Sequence, residues 1–114
     1  MTKGYSFAFQ TIGYFTWENP NDPKKAIAEA KEYLIEFAYN KIWSELSGKD
    51  REVVRAIAQV PSGEIFYIRK VLNYTSNQFN PYRDRLIKAG IITGEESGQV
   101  EFALPFFDEF ALNK

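Results

Sequence analysis

Turn-forming residues divide the second half of the chain into three short amphipathic stretches followed by two β-type runs. Pro61 and Gly63 end the first stretch, an NYTS turn ends the second, and Gly90 ends the third. Gly90 stands where a helix commonly needs a left-handed residue. One short run starts at 91–92, and residues 99–103 alternate polar and apolar side chains after a glycine-bracketed loop. Few folds satisfy this order, because three helices and one hairpin must share one small core.

Capping residues and apolar spacing predict where these helices lie. Ser47 suits the N-cap of the first helix, with Asp50 near its positive end. Its predicted buried stripe consists of Val53, Val54, Ile57 and Ala58. The second helix spans 64–72 and buries Ile65, Ile68 and Leu72.

The third helix begins after Thr75 or Ser76 and runs to Ala89. At helical spacing, the side chains that face the core are Phe79, Tyr82, Leu86 and Ala89. Pro81 lies inside this stretch, which predicts a kink or a late start of the helix.

Two longer helices are predicted before this unit. The first spans 4–18 and is uncharged and aromatic up to Trp17. The second runs from Pro23 to Leu46, with Asp22 as its N-cap and Pro23 at its first position. Its predicted apolar face consists of Ile27, Ala30, Leu34, Phe37 or Ala38, and Ile42.

The predicted fold class is therefore mainly α. Two helices precede a winged helix-turn-helix with a two-stranded β wing and a final apolar turn or short helix. A boundary near Leu46 divides the chain into residues 1–46 and a winged helix-turn-helix domain at 47–114.

The composition excludes several functional classes. The chain has no Cys and no His, which excludes disulfides, thiolate or zinc sites, and nucleophile–histidine pairs. No apolar run reaches the roughly 18 residues of a membrane span. We therefore expect a cytoplasmic, non-catalytic chain without metal or cofactor. Its net charge of -1 is unlike the basic balance of typical nucleic-acid-binding modules.

The stretch SNQFNPYRDRLIKAGII nevertheless has the character of a DNA-reading helix. The side chains predicted to approach base edges are Asn77, Gln78 and Asn80. Those predicted to hold phosphates are Arg83, Arg85 and Lys88, with Arg69 and Lys70 from the preceding helix. Four acidic residues oppose this interpretation, namely Asp84, Glu95, Glu96 and Glu101. A structural or protein-contact role for the same helix therefore stays open.

The aromatic first helix has two interpretations as well. It is either a core helix or a docking face for a protein partner or a second copy, since its aromatic content exceeds what a small domain hides easily.

Four phrases occur in an order that resembles a known family: GYSFAFQTIGYFTW, FAYNKIWSELSGKDREVVRAIA, YRDRLIKAGIITG and VEFALPFFDEF. They resemble the C-terminal part of prokaryotic AAA-type ATPases, of the group similar to archaeal origin-recognition ATPases. The resemblance implies that residues 1–46 end a helical lid and that 47–114 form a winged helix often assigned to DNA binding.

It also implies that the ATP-binding motifs lie in an upstream domain of the same protein. The expected partners are that domain, duplex DNA and further copies of the chain. GYSF contains no arginine, so no nucleotide-sensing residue is assigned.

Overall fold

The computed structural model describes residues 3–94 and 98–114, with side chains from residue 7 onward. Its helices are α1 Lys3–Glu18, α2 Pro23–Leu34, a π segment Ile35–Tyr39, α3 Asn40–Glu45, α4 Gly48–Ala58, α5 Ile65–Leu72, α6 Ser76–Lys88 and α7 Phe107–Leu112. The strands are β1 Ile92–Thr93 and β2 Glu101–Phe102. The prediction of a mainly helical chain with one small antiparallel sheet is thus confirmed.

Helices α1 and α2 form an antiparallel hairpin joined at Asn19. The Asn19 amide nitrogen donates to the Phe15 carbonyl at 2.9 Å and to Glu29 Oε1 at 3.1 Å. The Asp22 side chain accepts from the Lys25 backbone N–H at 3.1 Å, which confirms the predicted cap. The Asn19 side chain thus connects the turn to both α1 and α2.

Helix α2 continues through the π segment into α3, which ends at Glu45. These three segments together form the long helix. In the π segment the Asn40 N–H bonds to the Ile35 carbonyl, five residues back. Residues five apart then lie above one another, whereas in an α-helix they point apart. Leu34 and Tyr39 therefore both face the core and are fully buried.

The apolar face predicted for this helix is correct in part. Ala30 and Leu34 are buried, and Ala38 and Ile42 are half-buried. Phe37 is 62% exposed, so the alternative Ala38 occupies the face. The spacing of three and four did not single out Tyr39 and Trp43, the largest buried side chains of the helix, because the π segment shifts the register.

Tyr39 lies at the junction between the long helix and α7. Its hydroxyl donates to the Pro105 carbonyl at 2.6 Å. Its ring packs edge-on against Phe107 at 5.0 Å between centroids, and Trp43 packs against Phe110 at 5.9 Å. Burial raises the pKa of the Tyr39 phenol, which therefore stays a proton donor. Residues on both sides of Leu46 share one core, while the division into two domains there stays a prediction.

Helices α4 and α6 begin directly after predicted cap residues, Ser47 and Thr75. Ser47 Oγ accepts from the Asp50 N–H at 3.1 Å, as predicted. All four residues of the predicted α4 stripe are buried. Helix α6 begins at Ser76 despite Pro81, so the late start is wrong.

Ala89 is exposed, which corrects its predicted place in the core. Gly90 adopts φ +79°, the left-handed conformation predicted for it. The chain turns so that the Ile91 N–H bonds to the Leu86 carbonyl at 3.0 Å. Ile91, two residues further along the chain, is buried.

One isolated β-bridge outside the two-stranded sheet was not indicated by the sequence. Ile92 pairs with Phe102 and Thr93 with Glu101 in the predicted hairpin. Glu64 also forms an isolated antiparallel bridge with Gln99. A single bridging residue before α5 has no alternating pattern and so gives no strand signal. This bridge joins the residue before α5 to Gln99, two residues before β2.

We expect Tyr39→Phe to lower the free energy of unfolding by roughly 1–2 kcal/mol, because the half-buried Pro105 carbonyl loses its donor. Urea unfolding followed by tryptophan fluorescence measures this change. Tyr14→Phe is the matched control, since its hydroxyl bonds Glu18 on an exposed surface. Equal losses in the two variants would show that the Tyr39 bond has no special role at the junction.

Candidate nucleic-acid interface

The N-terminus of α6 is held by a reciprocal capping box. The Gln78 N–H donates to Thr75 Oγ1 at 3.2 Å, and the Thr75 N–H donates to Gln78 Oε1 at 2.8 Å. The side-chain oxygen of Gln78 thus satisfies the helix end. Pairing of Gln78 with adenine through both amide atoms requires this bond to break.

Asn77 and Asn80 project from the first turns of α6. Both are exposed, and within the described part of the chain neither side chain has a hydrogen-bond partner. Pro81 and Asp84 are exposed beside them. These two asparagines are the predicted base-contacting residues that the fold leaves available.

Arg83 connects α6 to the loop that follows β1. Its Nη2 donates to the Gly94 carbonyl at 3.0 Å, and its Nη1 lies 3.8 Å from Asp84. A Cβ on Gly94 would lie 2.5 Å from Arg83 Nη2, so only glycine allows this contact without displacement. The predicted phosphate contact therefore competes with an internal bond. Glu95 and Glu96 lie outside the described residues.

Arg85 connects α6 to the start of α4. Its Nη2 lies 2.6 Å from Asp50 Oδ1, and the Asp50 side chain is only 14% exposed. Its guanidinium also lies 4.8 Å from the centre of the Tyr82 ring. The hydrogen bond to Asp50, with its charge, raises the pKa of Arg85. The charge predicted to hold a phosphate is thus partly neutralised by Asp50.

The remaining three predicted phosphate-binding cations differ in the contacts that their charged groups make within the chain. Arg69 Nε donates to the Tyr74 carbonyl at 3.2 Å, after the left-handed turn at Asn73. Lys70 is exposed with its Nζ 4.8 Å from the centre of the Phe66 ring. Lys88 is exposed, without an ion pair among the described residues. Lys70 and Lys88 therefore keep their charge for solvent or a ligand.

A shallow depression of about 280 Å³ joins α5 to the N-terminus of α6. It is lined by Phe66, Arg69, Lys70, Asn73, Tyr74 and Thr75. Next to it, Phe66, Tyr67 and Val71 are 57%, 50% and 50% exposed. Sequence reasoning missed these three residues, although the helical positions left over after Ile65, Ile68 and Leu72 form this outward face.

A larger groove of about 600 Å³ lies between the end of α4, β2 and α7. Its lining includes Glu101 and Asp108 and no basic residue among those described. The sequence shows the same difference in charge between the α4–α6 region and the C-terminal segment. Residues 49–94 hold eight basic and four acidic residues, and residues 95–114 hold one basic and five acidic residues. An anionic ligand is therefore favoured at α5 and α6 and disfavoured at this groove.

We expect a double-mutant cycle of Arg85→Ala and Asp50→Ala to give a stabilising coupling that falls at high salt and exceeds the coupling of a pair with two exposed side chains. The cycle cancels the separate effect of Asp50 on the α4 helix end. The Lys49–Glu52 pair, at 3.6 Å with both side chains exposed, is the control with coupling near zero. Equal coupling in the two pairs would argue against Arg85 as a link between helices.

Of the helices that the structure describes, none has the length and apolar character that crossing a membrane requires. No curated protein and no solved structure matches the chain. One family matches residues 36–111, which is more than half of the chain, and it is described as Domain of unknown function (DUF8462). The match begins inside the π segment and ends within α7, so it includes both sides of the Tyr39 junction. The chain belongs to the DUF8462 family.

Proposed function

We propose that residues 47–104 form a winged helix-turn-helix that binds DNA through α6. The order of α4, α5, α6, β1 and β2, with a turn of three residues between α5 and α6, supports this assignment. The bridge between Glu64 and Gln99 connects the N-cap of α5 to the segment just before β2. In helix-turn-helix proteins the second helix of the pair enters the major groove with its N-terminal residues.

The observation that carries the proposal is the exposure of Asn77 and Asn80 at that N-terminal end. Neither side chain is engaged by another described residue, and an asparagine amide pairs with the N6 and N7 positions of adenine. The side-chain oxygen of Gln78 accepts from the Thr75 N–H at the start of α6, so Gln78 is left out of the proposed adenine contacts. The proposed base contacts are thus Asn77 and Asn80.

Few phosphate contacts accompany these base contacts. Lys70 and Lys88 face outward, while the internal bonds of Arg69, Arg83 and Arg85 compete with phosphate. Binding that neutralises few phosphates is weak and has a shallow salt dependence. Such a module suits the larger ATPase that the four sequence phrases suggest, because an upstream domain would supply the ATP chemistry and further affinity.

We expect Lys70→Ala with Lys88→Ala to weaken binding of random duplex DNA about tenfold and to lower the salt slope by about two, one per phosphate contact. Fluorescence anisotropy over a salt series measures both. Lys24→Ala with Lys25→Ala, two exposed cations at the start of α2, is the control and should change neither. Unchanged affinity and slope in the first variant would refute the proposed phosphate contacts.

A second candidate function is self-association through the helical hairpin. Ring contacts run from Tyr14 through Phe15 and Tyr33 to Phe37, with centroid separations of 5.1, 5.7 and 4.7 Å. Tyr14, Tyr33 and Phe37 are 55%, 44% and 62% exposed, and Trp17 is 77% exposed. Residues 4–17 carry no charge. Two copies would therefore meet on this helix without charge repulsion.

We expect Tyr33→Ser with Phe37→Ser to abolish any concentration-dependent increase in mass measured by light scattering after gel filtration. Phe66→Ser with Tyr67→Ser, two similarly exposed rings on α5, is the control and should leave the mass unchanged. Phe15 is unsuitable for substitution, since it is half-buried against Tyr33 within the hairpin. A monomer at all concentrations in the unmodified chain would rule out this function.

A further inference from the structure

The outward side of α5 presents an aromatic surface next to positive charge. We call Phe66, Tyr67, Lys70 and Val71 the α5 face. The two rings lie edge to face with centroids 5.3 Å apart, and both are at least half exposed. The opposite side of the helix already packs against the core through Ile65, Ile68 and Leu72. The α5 face is therefore not needed for the packing of α5.

The charges around the α5 face favour an anionic ligand. Lys70 Nζ lies 4.8 Å from the Phe66 ring centre, and Arg69 keeps donors besides the Nε that bonds Tyr74. Glu64, exposed at the N-cap of α5, is the acidic residue adjacent in sequence. A purely apolar protein partner would have to desolvate Lys70 without a compensating charge. A ligand that combines flat apolar rings with negative charge satisfies both parts of this surface.

The α5 face is also continuous with the α6 surface. The depression beside Phe66 and Lys70 extends through Tyr74 to Thr75, the N-cap of α6. A strand that leaves the α6 surface at this end passes next to the exposed rings. The two surfaces therefore lie within reach of one nucleic-acid molecule.

We infer that the α5 face binds unpaired bases of a single strand that continues from a duplex held at α6. Unpaired bases stack on exposed aromatic rings, and each stacked base strengthens binding by about 5- to 150-fold. Lys70 would contact the phosphate at the junction between duplex and single strand, which is the duplex contact proposed above. Bases inside a duplex are already stacked on each other, so this contact favours junctions over blunt duplexes. The inference rests on the proposed DNA binding by α6.

The test compares three labelled DNAs by fluorescence anisotropy at one salt concentration: a blunt duplex, the same duplex with a thymidine overhang, and the thymidine strand alone. We expect the unmodified chain to bind the overhang duplex about tenfold more tightly than the blunt duplex. Phe66→Ala with Tyr67→Ala should abolish this preference and leave blunt-duplex affinity unchanged. Tyr33→Ala with Phe37→Ala, matched in number and exposure of rings, should keep the preference.

The other outcomes separate the inference from the proposed function. Equal affinity of the unmodified chain for the blunt and overhang duplexes overturns the inference, as does an unaltered preference in the Phe66 and Tyr67 variant. Loss of self-association in that variant would assign the α5 face to protein contact and also overturn it. Single-strand binding that depends on Phe66, without any blunt-duplex binding, would refute DNA binding by α6 and with it the continuation from a bound duplex, so that only stacking of unpaired bases on α5 would stand. Circular dichroism of each variant confirms that the helices are retained.

Discussion

The burial of Tyr39 within the π segment is the interaction on which the rest of the architecture depends. The π segment aligns Tyr39 with Leu34, so one helix presents both side chains to the core. Tyr39 then bonds the Pro105 carbonyl and packs against Phe107, which holds α7 on the long helix. Because only residues 103–106 separate β2 from α7, the same contact also restrains the end of β2. An ordinary α-helix would turn Tyr39 away from this junction.

The basic residues of the α6 region serve the fold as well as the surface. Arg85 pairs with Asp50, 35 residues away, and Arg83 bonds the Gly94 carbonyl. These two side chains hold α6 against α4 and against the loop after β1. A count of charges along the sequence overestimates the charge available to a ligand, because an internal acceptor uses part of each guanidinium. The exposed Lys70 on α5 and Lys88 at the C-terminal end of α6 keep their charge for a ligand.

The high aromatic content does not translate into a correspondingly large core. The described residues extend 48 × 26 × 26 Å, and an elongated shape has more surface for its volume than a sphere. Aromatic side chains consequently remain exposed on the hairpin, as at Phe37, and on α5, as at Phe66. The composition predicted enough apolar material for a core, but only the packing shows which rings stay outside it.

The sequence by itself determined the order of helices and hairpin, the caps at Asp22 and Ser47, and the left-handed end at Gly90. Such features depend on residues within one helical turn of each other, and the pattern of neighbours therefore reveals them. Only the tertiary structure decided that Tyr39 enters the core, that Arg85 meets Asp50, and that the α5 face stays uncovered. These outcomes depend on contacts between residues far apart in the chain and on a local π register, and no local spacing rule contains that information.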